Sequence, residues 1–466
     1  MIRLYATLLA LALVAPTASG QNLNSVVEAY VWGNQPTAAS YTPSPTFSYN
    51  VSGEANTATR TDVGRYTITL NGIPDLRNGN RGNVQISSYG SNAVCVTGGW
   101  DSDPRQIRVI CRDPATDTPV DSRYTVLYTR ASGASPDVAY TFPNRTDGSS
   151  HTPNTLVSNT PGGGTISAYT LGSASEIAVI EFPGFSTSTA NDDSGHLQLT
   201  AGGTTSTGGA ARCSAGGFTT FTNGVLATNT FCAGANAAPL FARYSALYLR
   251  AGSSNGGPAF AYVHANNATA ASYTPSSNRT FSQNGGAVRP ARTGTGVYTM
   301  TFEGLGGRGV SGGHAQVTAF SQTGGYCTIR SWGSGTDDVL VNVDCFDASG
   351  APADQEYLLL FSWPNNVVNA VSAEAGPNDA ALALSVAGPN PTADRTAFDI
   401  SLAQAGVVRV AVVDLLGREV TVLADGPLGA GTTRLDLDAS ALPAGVYIAR
   451  LVAAGQARTL RFTVVH

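Results

Sequence analysis

The sequence predicts an all-β protein in which three tandem antiparallel β-sandwich repeats precede a small C-terminal β-sandwich. Composition is the first observation. Among 466 residues there are 53 Gly and 24 Pro, 42% are hydrophobic and only 12% are charged. That mixture suits short strands joined by many turns, and it is too apolar and too weakly charged for a disordered chain. Periodicity is the second. Tyr66 to Leu70, Val84 to Ser88, Arg108 to Arg112 and Tyr124 to Tyr128 are short alternating runs, separated by Gly, Asn, Asp and Pro. Helical periods are confined to the N-terminal leader.

The third observation is an internal repeat, and it sets the domain organisation. Tyr41-Thr42-Pro43 recurs as Tyr273-Thr274-Pro275, and Gly64, Tyr66, Cys95 and Trp100 recur as Gly296, Tyr298, Cys327 and Trp332, each 232 positions later. A middle copy is then expected halfway. It is present in worn form: His151-Thr152-Pro153 stands for the Thr-Pro entry, and Phe182-Pro183-Gly184-Phe185 matches Phe302-Glu303-Gly304-Leu305. Arg123-Tyr124 and Tyr128 likewise match Arg243-Tyr244 and Tyr248. One pattern survives in all three copies, a Gly, any residue, an aliphatic residue and Gln, ending at Gln85, Gln198 and Gln316. Ser/Gly/Pro-rich stretches bound copies at residues 21–131, 132–252 and 253–365, with a linker at 366–381. Copies of about 110 residues fit a β-sandwich, with a jelly roll as the rival.

The N-terminus reads as a signal peptide over residues 1–20. Arg3 gives a thin positive start, Leu4 to Val14 an apolar run too short to span a bilayer, and Ala18-Ser19-Gly20 a small-residue cleavage site. No second run is long enough for a membrane span. Net charge is −5 without a basic cluster, which argues against nucleic acid as a partner. All 26 basic residues are Arg. Without Lys the chain has no Schiff-base nucleophile and no P-loop cation.

The last 85 or so residues carry three motifs in order: Pro389-Asn390-Pro391, then Asp414-Leu415-Leu416-Gly417-Arg418, then Leu442-Pro443-Ala444-Gly445-Val446-Tyr447 leading into a final strand pair. These resemble the type A sorting domain of the type IX secretion system, over residues 382–466. The resemblance implies inner-membrane passage by the signal peptide, then outer-membrane export by machinery that recognises this domain. It also implies a domain that is usually removed, with the cargo released or attached at the cell surface. The copies, opening on strands such as Ala29-Tyr30-Val31-Trp32, resemble uncharacterised secreted bacterial β-domains, which brings no chemistry with it.

Six Cys behind a signal peptide suggest disulfides. Each copy holds two: Cys95 and Cys111, Cys213 and Cys232, Cys327 and Cys345. Copies that fold alike should pair them internally, across a hairpin. A zinc site is the alternative, but no copy has the short Cys-x-x-Cys spacing it usually uses.

No catalytic constellation and no cofactor site is expected. Gly304, Gly306 and Gly309 fit a dinucleotide pattern, and Ser311 with His314 nearby imitates a nucleophile elbow, yet neither precedes a helix. Asp192-Asp193 with His196, and Asp337-Asp338 with Asp344, are the best carboxylate clusters. They fit solvated turns, calcium sites or a glycosidase pair. Asp101-Ser102-Asp103-Pro104 invites the same three readings. Trp100 and Trp332 occupy equivalent places, as core residues or as platforms for sugar rings. The leading expectation is a non-enzymatic secreted or surface protein of the outer membrane, adhesive or ligand-binding, with a glycan or a protein as ligand. A secreted hydrolase, above all a glycosidase, is the alternative, and a pure spacer the third.

Overall fold

The computed structural model describes residues 27–73, 81–101, 105–131, 137–144, 147–171, 177–185, 192–203, 211–234, 238–250, 259–306, 312–335, 337–363, 382–390, 392–402, 404–413, 418–453 and 456–465. The signal segment, the linker, Asp103, Gly309, Ser311, Pro391, Asp414 and Gly417 lie outside them. Among the described residues there are strands and short 3-10 turns but no α-helix, so no helix is long and apolar enough to cross a membrane. The chain divides into two compact units, Met1–Asn365 and Asn366–His466.

The first unit contains three eight-stranded sheets, and each is shared by two copies of the repeat. In one, Val288–Gly294, Val297–Phe302, Val339–Phe346 and Tyr326–Ser334 of the third copy continue into Asn83–Tyr89, Arg123–Thr129, Val27–Gly33 and Ser48–Asn50 of the first. The second sheet joins the other five strands of the first copy to Val138–Thr141, Arg243–Leu249 and His196–Gly202 of the middle copy. The third runs from the remaining middle-copy strands, Ser167–Thr170, Ile177–Phe182, Leu226–Ala233 and Arg212–Thr220, into the third copy. Within a copy the pairing is antiparallel. At each seam one parallel contact joins the copies: Ile329 with Tyr89, Gly202 with Thr97, and Ala215 with Phe320. First joins middle, middle joins third, and third joins first. The ring is closed.

Each copy is still a sandwich, because its two half-sheets enclose a core of their own. Val31, Val84, Ile86 and Val126 face Ile68, Val109 and Cys111 in the first copy; Val263, Val317 and Leu359 face Met300, Val341 and Val343 in the third. The middle copy does the same with Leu197, Leu199 and Ala246 against Ile180, Phe182 and Leu226. A further cluster lies where the copies meet: Tyr30, Tyr140 and Tyr262 with Leu127, Leu247 and Leu360. The sequence reading of sandwiches joined by linkers is therefore refined in one respect. Neighbouring copies share sheets, and they form one unit.

The three expected disulfides are present, each between residues directly opposite on adjacent antiparallel strands: Cys95–Cys111, Cys213–Cys232 and Cys327–Cys345. Cα–Cα separations are 4.0, 4.1 and 4.0 Å. On the chain-entropy model a loop of this size contributes about 3 kcal/mol. Replacing both Cys95 and Cys111 by Ala is therefore expected to cost about that much in urea-unfolding stability. A loss below about 1 kcal/mol would show that the strand pairing alone holds the hairpin.

The second unit packs a three-stranded sheet, Leu382–Val386, Arg395–Leu402 and Gly431–Asp438, against a four-stranded one, Glu419–Leu428, Gly406–Val413, Gly445–Ala453 and Gln456–Val464. Phe398, Ile400, Val410, Leu437, Leu451 and Phe462 fill the space between them.

Candidate functional site

The pattern found in all three copies lies at the centre of the ring, and both of its fixed residues have a physical reason there. Its Gly is Gly82, Gly195 or Gly313, each at positive φ (72°, 100° and 84°). A Cβ at these positions would lie 2.6–2.9 Å from the Tyr128, Tyr248 or Phe361 ring. Its Gln residues are buried and link each copy to the next. Thr200 Oγ1 donates to Gln85 Oε1 (2.9 Å), Thr318 Oγ1 to Gln198 Oε1 (2.9 Å), and Ser87 Oγ to Gln316 Oε1 (2.6 Å). Each hydroxyl also accepts a main-chain N–H from the copy it reaches, Ile86 to Thr200, Leu199 to Thr318 and Val317 to Ser87 (2.8–2.9 Å). The Nε2 groups donate to the carbonyls of Ser245, Leu358 and Thr125 (3.2–3.3 Å). They also reach Asn83 Oδ1, His196 Nε2 and His314 Nε2.

His196 and His314 are fully enclosed and stack on Tyr262 and Tyr30, with ring centroids 5.3 and 5.1 Å apart. Burial depresses both imidazoles from 6.5 to about 3, so they are neutral; His264 adds a smaller effect on His196. At another point where the copies meet, Arg212 is 4% exposed and donates to one carbonyl from each copy, Pro114 (3.1 Å), Gly234 (3.1 Å) and Ala348. A polar cavity of about 50 Å³ lies alongside, lined by Ser88, Cys95, Thr200, Cys213, Thr318 and Cys327.

A second shared device occurs only in the outer copies. Asp121 takes two hydrogen bonds from Arg60, one from the Gly64 N–H and one from the Tyr66 hydroxyl. Asp354 does the same with Arg292, Gly296 and Tyr298. The arginine hydrogen bonds hold both carboxyls below their usual range. The tyrosine rings then cover Tyr124 and Tyr357, with centroids 4.8 and 5.2 Å apart. By strand register the middle copy has Thr170 for the arginine, Ala178 for the tyrosine and Phe241 for the aspartate. Where the knot is absent a pocket opens, about 30 Å³, walled by Ala168, Tyr169, Ala178, Val179, Phe241 and Tyr244. This is the candidate binding site.

The residues singled out in the sequence fall elsewhere. Asp192 pairs with Arg250 (3.3 Å) and Asp193 with Arg279 (3.3 Å), while His196 points its bonds into the central network. Asp338 accepts the Gly304 N–H (2.9 Å), Asp337 is exposed, and Asp344 faces Arg330 at 3.6 Å. Among the described residues, no three His, Cys, Asp or Glu side chains gather to hold a metal. Gly304 and Gly306 belong to a tight turn: a Cβ on Gly306 would meet the Asp338 and Gly335 carbonyls at 2.6–2.7 Å. Trp100 is buried, bonded to the Arg81 carbonyl (3.1 Å) and set edge-on to Phe142. Trp332 is half-buried among Trp32, Phe47 and Tyr89, and Phe218 takes the equivalent place in the middle copy. Sequence reasoning missed Arg212 and the altered knot. Comparing positions 60, 170 and 292, and 121, 241 and 354, across copies was the signal for the knot.

Residues 388–465 match the family described as the secretion system C-terminal sorting domain. The C-terminal unit is a type IX secretion sorting domain. No curated protein matches the chain. Among solved structures, PorZ, an essential bacterial surface component of the type IX secretion system of Porphyromonas gingivalis, is similar at 12% identity, over 88% of this chain and 51% of that one, with a TM-score of 0.14. This chain spans about half the length of that protein.

The sorting domain directs the chain across the outer membrane, to be secreted or held at the cell surface, and the export machinery recognises it. Its motifs have structural work within it. Asn390 Oδ1 accepts the Thr463 N–H (2.9 Å), and Thr392 exchanges main-chain bonds with Thr463 and Val465, which ties the opening motif to the final strand. Tyr447 stacks on Phe462 and donates to the Pro443 carbonyl (2.8 Å), Leu442 donates its N–H to Ala439, and Gly445 begins the strand that follows. Arg418 is exposed at the start of Glu419–Leu428.

Proposed function

We propose that the three-copy unit is a non-catalytic, ligand-binding body carried to the cell exterior by the sorting domain, with a surface glycan or a protein as its ligand. In this reading residues 1–20 are removed, residues 21–131, 132–252 and 253–365 are the copies, and residues 382–466 are the tag. The observation that carries it is the altered knot of the middle copy. Elsewhere the conspicuous carboxylates hold the fold through arginines and main-chain N–H groups, whereas here a structural device is gone and a pocket stands in its place. A glycosidase needs two carboxyls free to act on one bond. Asp192 and Asp193 are each engaged with a different arginine. Equivalent positions in the copies carry different residues, so the geometry favours one site per body over three identical weak ones.

The full chain is expected to be retained on columns of bacterial surface polysaccharide or on whole cells, and to release no sugar or peptide from the same materials. Release that stops when Asp192, Asp193 or Asp338 is changed to Ala would replace this reading with the hydrolase.

A further inference from the structure

We propose that the polar cavity at the meeting point of the three copies binds a chloride ion. The positions around it recur by copy. Ser88, Ala201 and Ala319 stand opposite Tyr124, Tyr244 and Tyr357 on the neighbouring strand, and Cys95, Cys213 and Cys327 line the same space. The cavity therefore lies where the copies converge, and the inference is independent of what the middle-copy pocket binds. Its volume is about 50 Å³. A water needs about 10–15 Å³, so the space holds a halide with a water or two.

Arg212 supplies the charge. It is buried, lines the cavity, and stands where the other copies have Val94 and Tyr326, each just before its cysteine. Its terminal nitrogens hold the three carbonyls named above, and its guanidinium lies over the Tyr326 ring at 5.3 Å. Among the described residues no carboxylate forms an ion pair with it. Burial lowers its pKa, and Tyr326, Asp117 and Asp347 offset only part of that effect. A buried charge is costly unless an opposite charge meets it.

The walls supply donors. In each hairpin the two cysteines face each other without main-chain bonds, since Cys111 and Cys345 give their N–H groups outward to Gly64 and Gly296, and Cys232 takes the Leu240 N–H on its outer side. The N–H of the partner cysteine then points the other way, toward the seam. In the first copy Ser88 Oγ accepts the Cys95 N–H (2.8 Å). Ala201 and Ala319 have no hydroxyl at the same position, so Cys213 and Cys327 direct their N–H groups at the cavity without that acceptor. The Ser87, Thr200 and Thr318 protons go to the glutamines, whereas the Ser88 proton has no acceptor among the described residues. Converging N–H and O–H groups beside a guanidinium suit an anion and repel a metal cation.

The test has two arms on the full chain. Crystals grown from sodium bromide should show a bromide anomalous peak in the cavity, beside Ser88 Oγ and the Cys213 and Cys327 nitrogens. In solution the urea midpoint, followed by tryptophan fluorescence, should be higher in sodium chloride than in sodium gluconate at equal ionic strength. Arg212→Met should remove that difference. Ala201→Ser/Ala319→Ser keeps the arginine, narrows the cavity and gives both N–H groups the hydroxyl that Cys95 already has. It should weaken chloride binding at least tenfold, and it decides the matter should Arg212→Met fail to fold. Water alone in the cavity, equal midpoints in the two salts, or a chloride effect undiminished in the double variant overturns the proposal.

Discussion

Replacing Gln316 by Leu is expected to lower the stability of the three-copy unit by about 3–5 kcal/mol. The substitution keeps the volume and removes a side chain that bonds Ser87, Thr125 and His314 at once. Each buried group left without its partner costs about 1–3 kcal/mol, and His314 already has an unpaired Nδ1. The loss exceeds that of an ordinary core substitution because the three bonds lie at the junction of copies, where no solvent replaces them. Urea unfolding followed by tryptophan fluorescence is the measurement. All four tryptophans, Trp32, Trp100, Trp332 and Trp363, belong to the first unit, so the signal excludes the sorting domain. A loss under about 1 kcal/mol would mean that the glutamines do not fasten the ring.

Acid is expected to weaken the same junction. His196 and His314 titrate near 3 when folded and near 6.5 when unfolded. Between those values the unfolded chain binds more protons, so stability is complete above about pH 6.5 and is lost as pH falls toward 3. One pKa unit corresponds to about 1.4 kcal/mol, so at pH 5 each ring has cost about 2 kcal/mol and the pair about 4. Glu28, Asp137 and Asp344, pushed up by burial, act in the opposite direction as they take protons. The decisive comparison is therefore with His196→Asn/His314→Asn, which places at both positions the residue already found at Asn83. There the Asn Oδ1 accepts from Gln85 at 2.8 Å. The variant should lose most of the stability difference between pH 7 and pH 5. An unchanged difference would assign the acid response to other groups.

Much of the fold was legible because it is written locally. Cys95 and Cys111 face each other on one hairpin, and Tyr66 alternates with Ile68 and Leu70 as a half-buried strand must. The Gly-x-aliphatic-Gln pattern was visible in all three copies, the worn middle one included. Its meaning was hidden because Gln85 completes its bonds through Thr200 and Ser245, residues of another copy with no spacing that announces them. Ring closure was hidden for the same reason, since each seam rests on a single parallel pairing such as Ile329 with Tyr89. Arg212 looked like any surface arginine preceding a Cys. The pocket was illegible as such, because it is defined by the side chains that Ala178 and Phe241 displaced. The sorting domain was the opposite case: three linear motifs, each used within the unit that carries it.

Closure of the ring also fixes when the body can first hold together. Asn83–Tyr89 lacks its outer neighbour until Tyr326–Ser334 has arrived, and that segment comes late in the polypeptide. Until then the early copies present naked strand margins, which invite pairing with other chains, and closure between segments so far apart in the sequence slows folding. The sheet thus reaches its full eight strands only once the third copy is present.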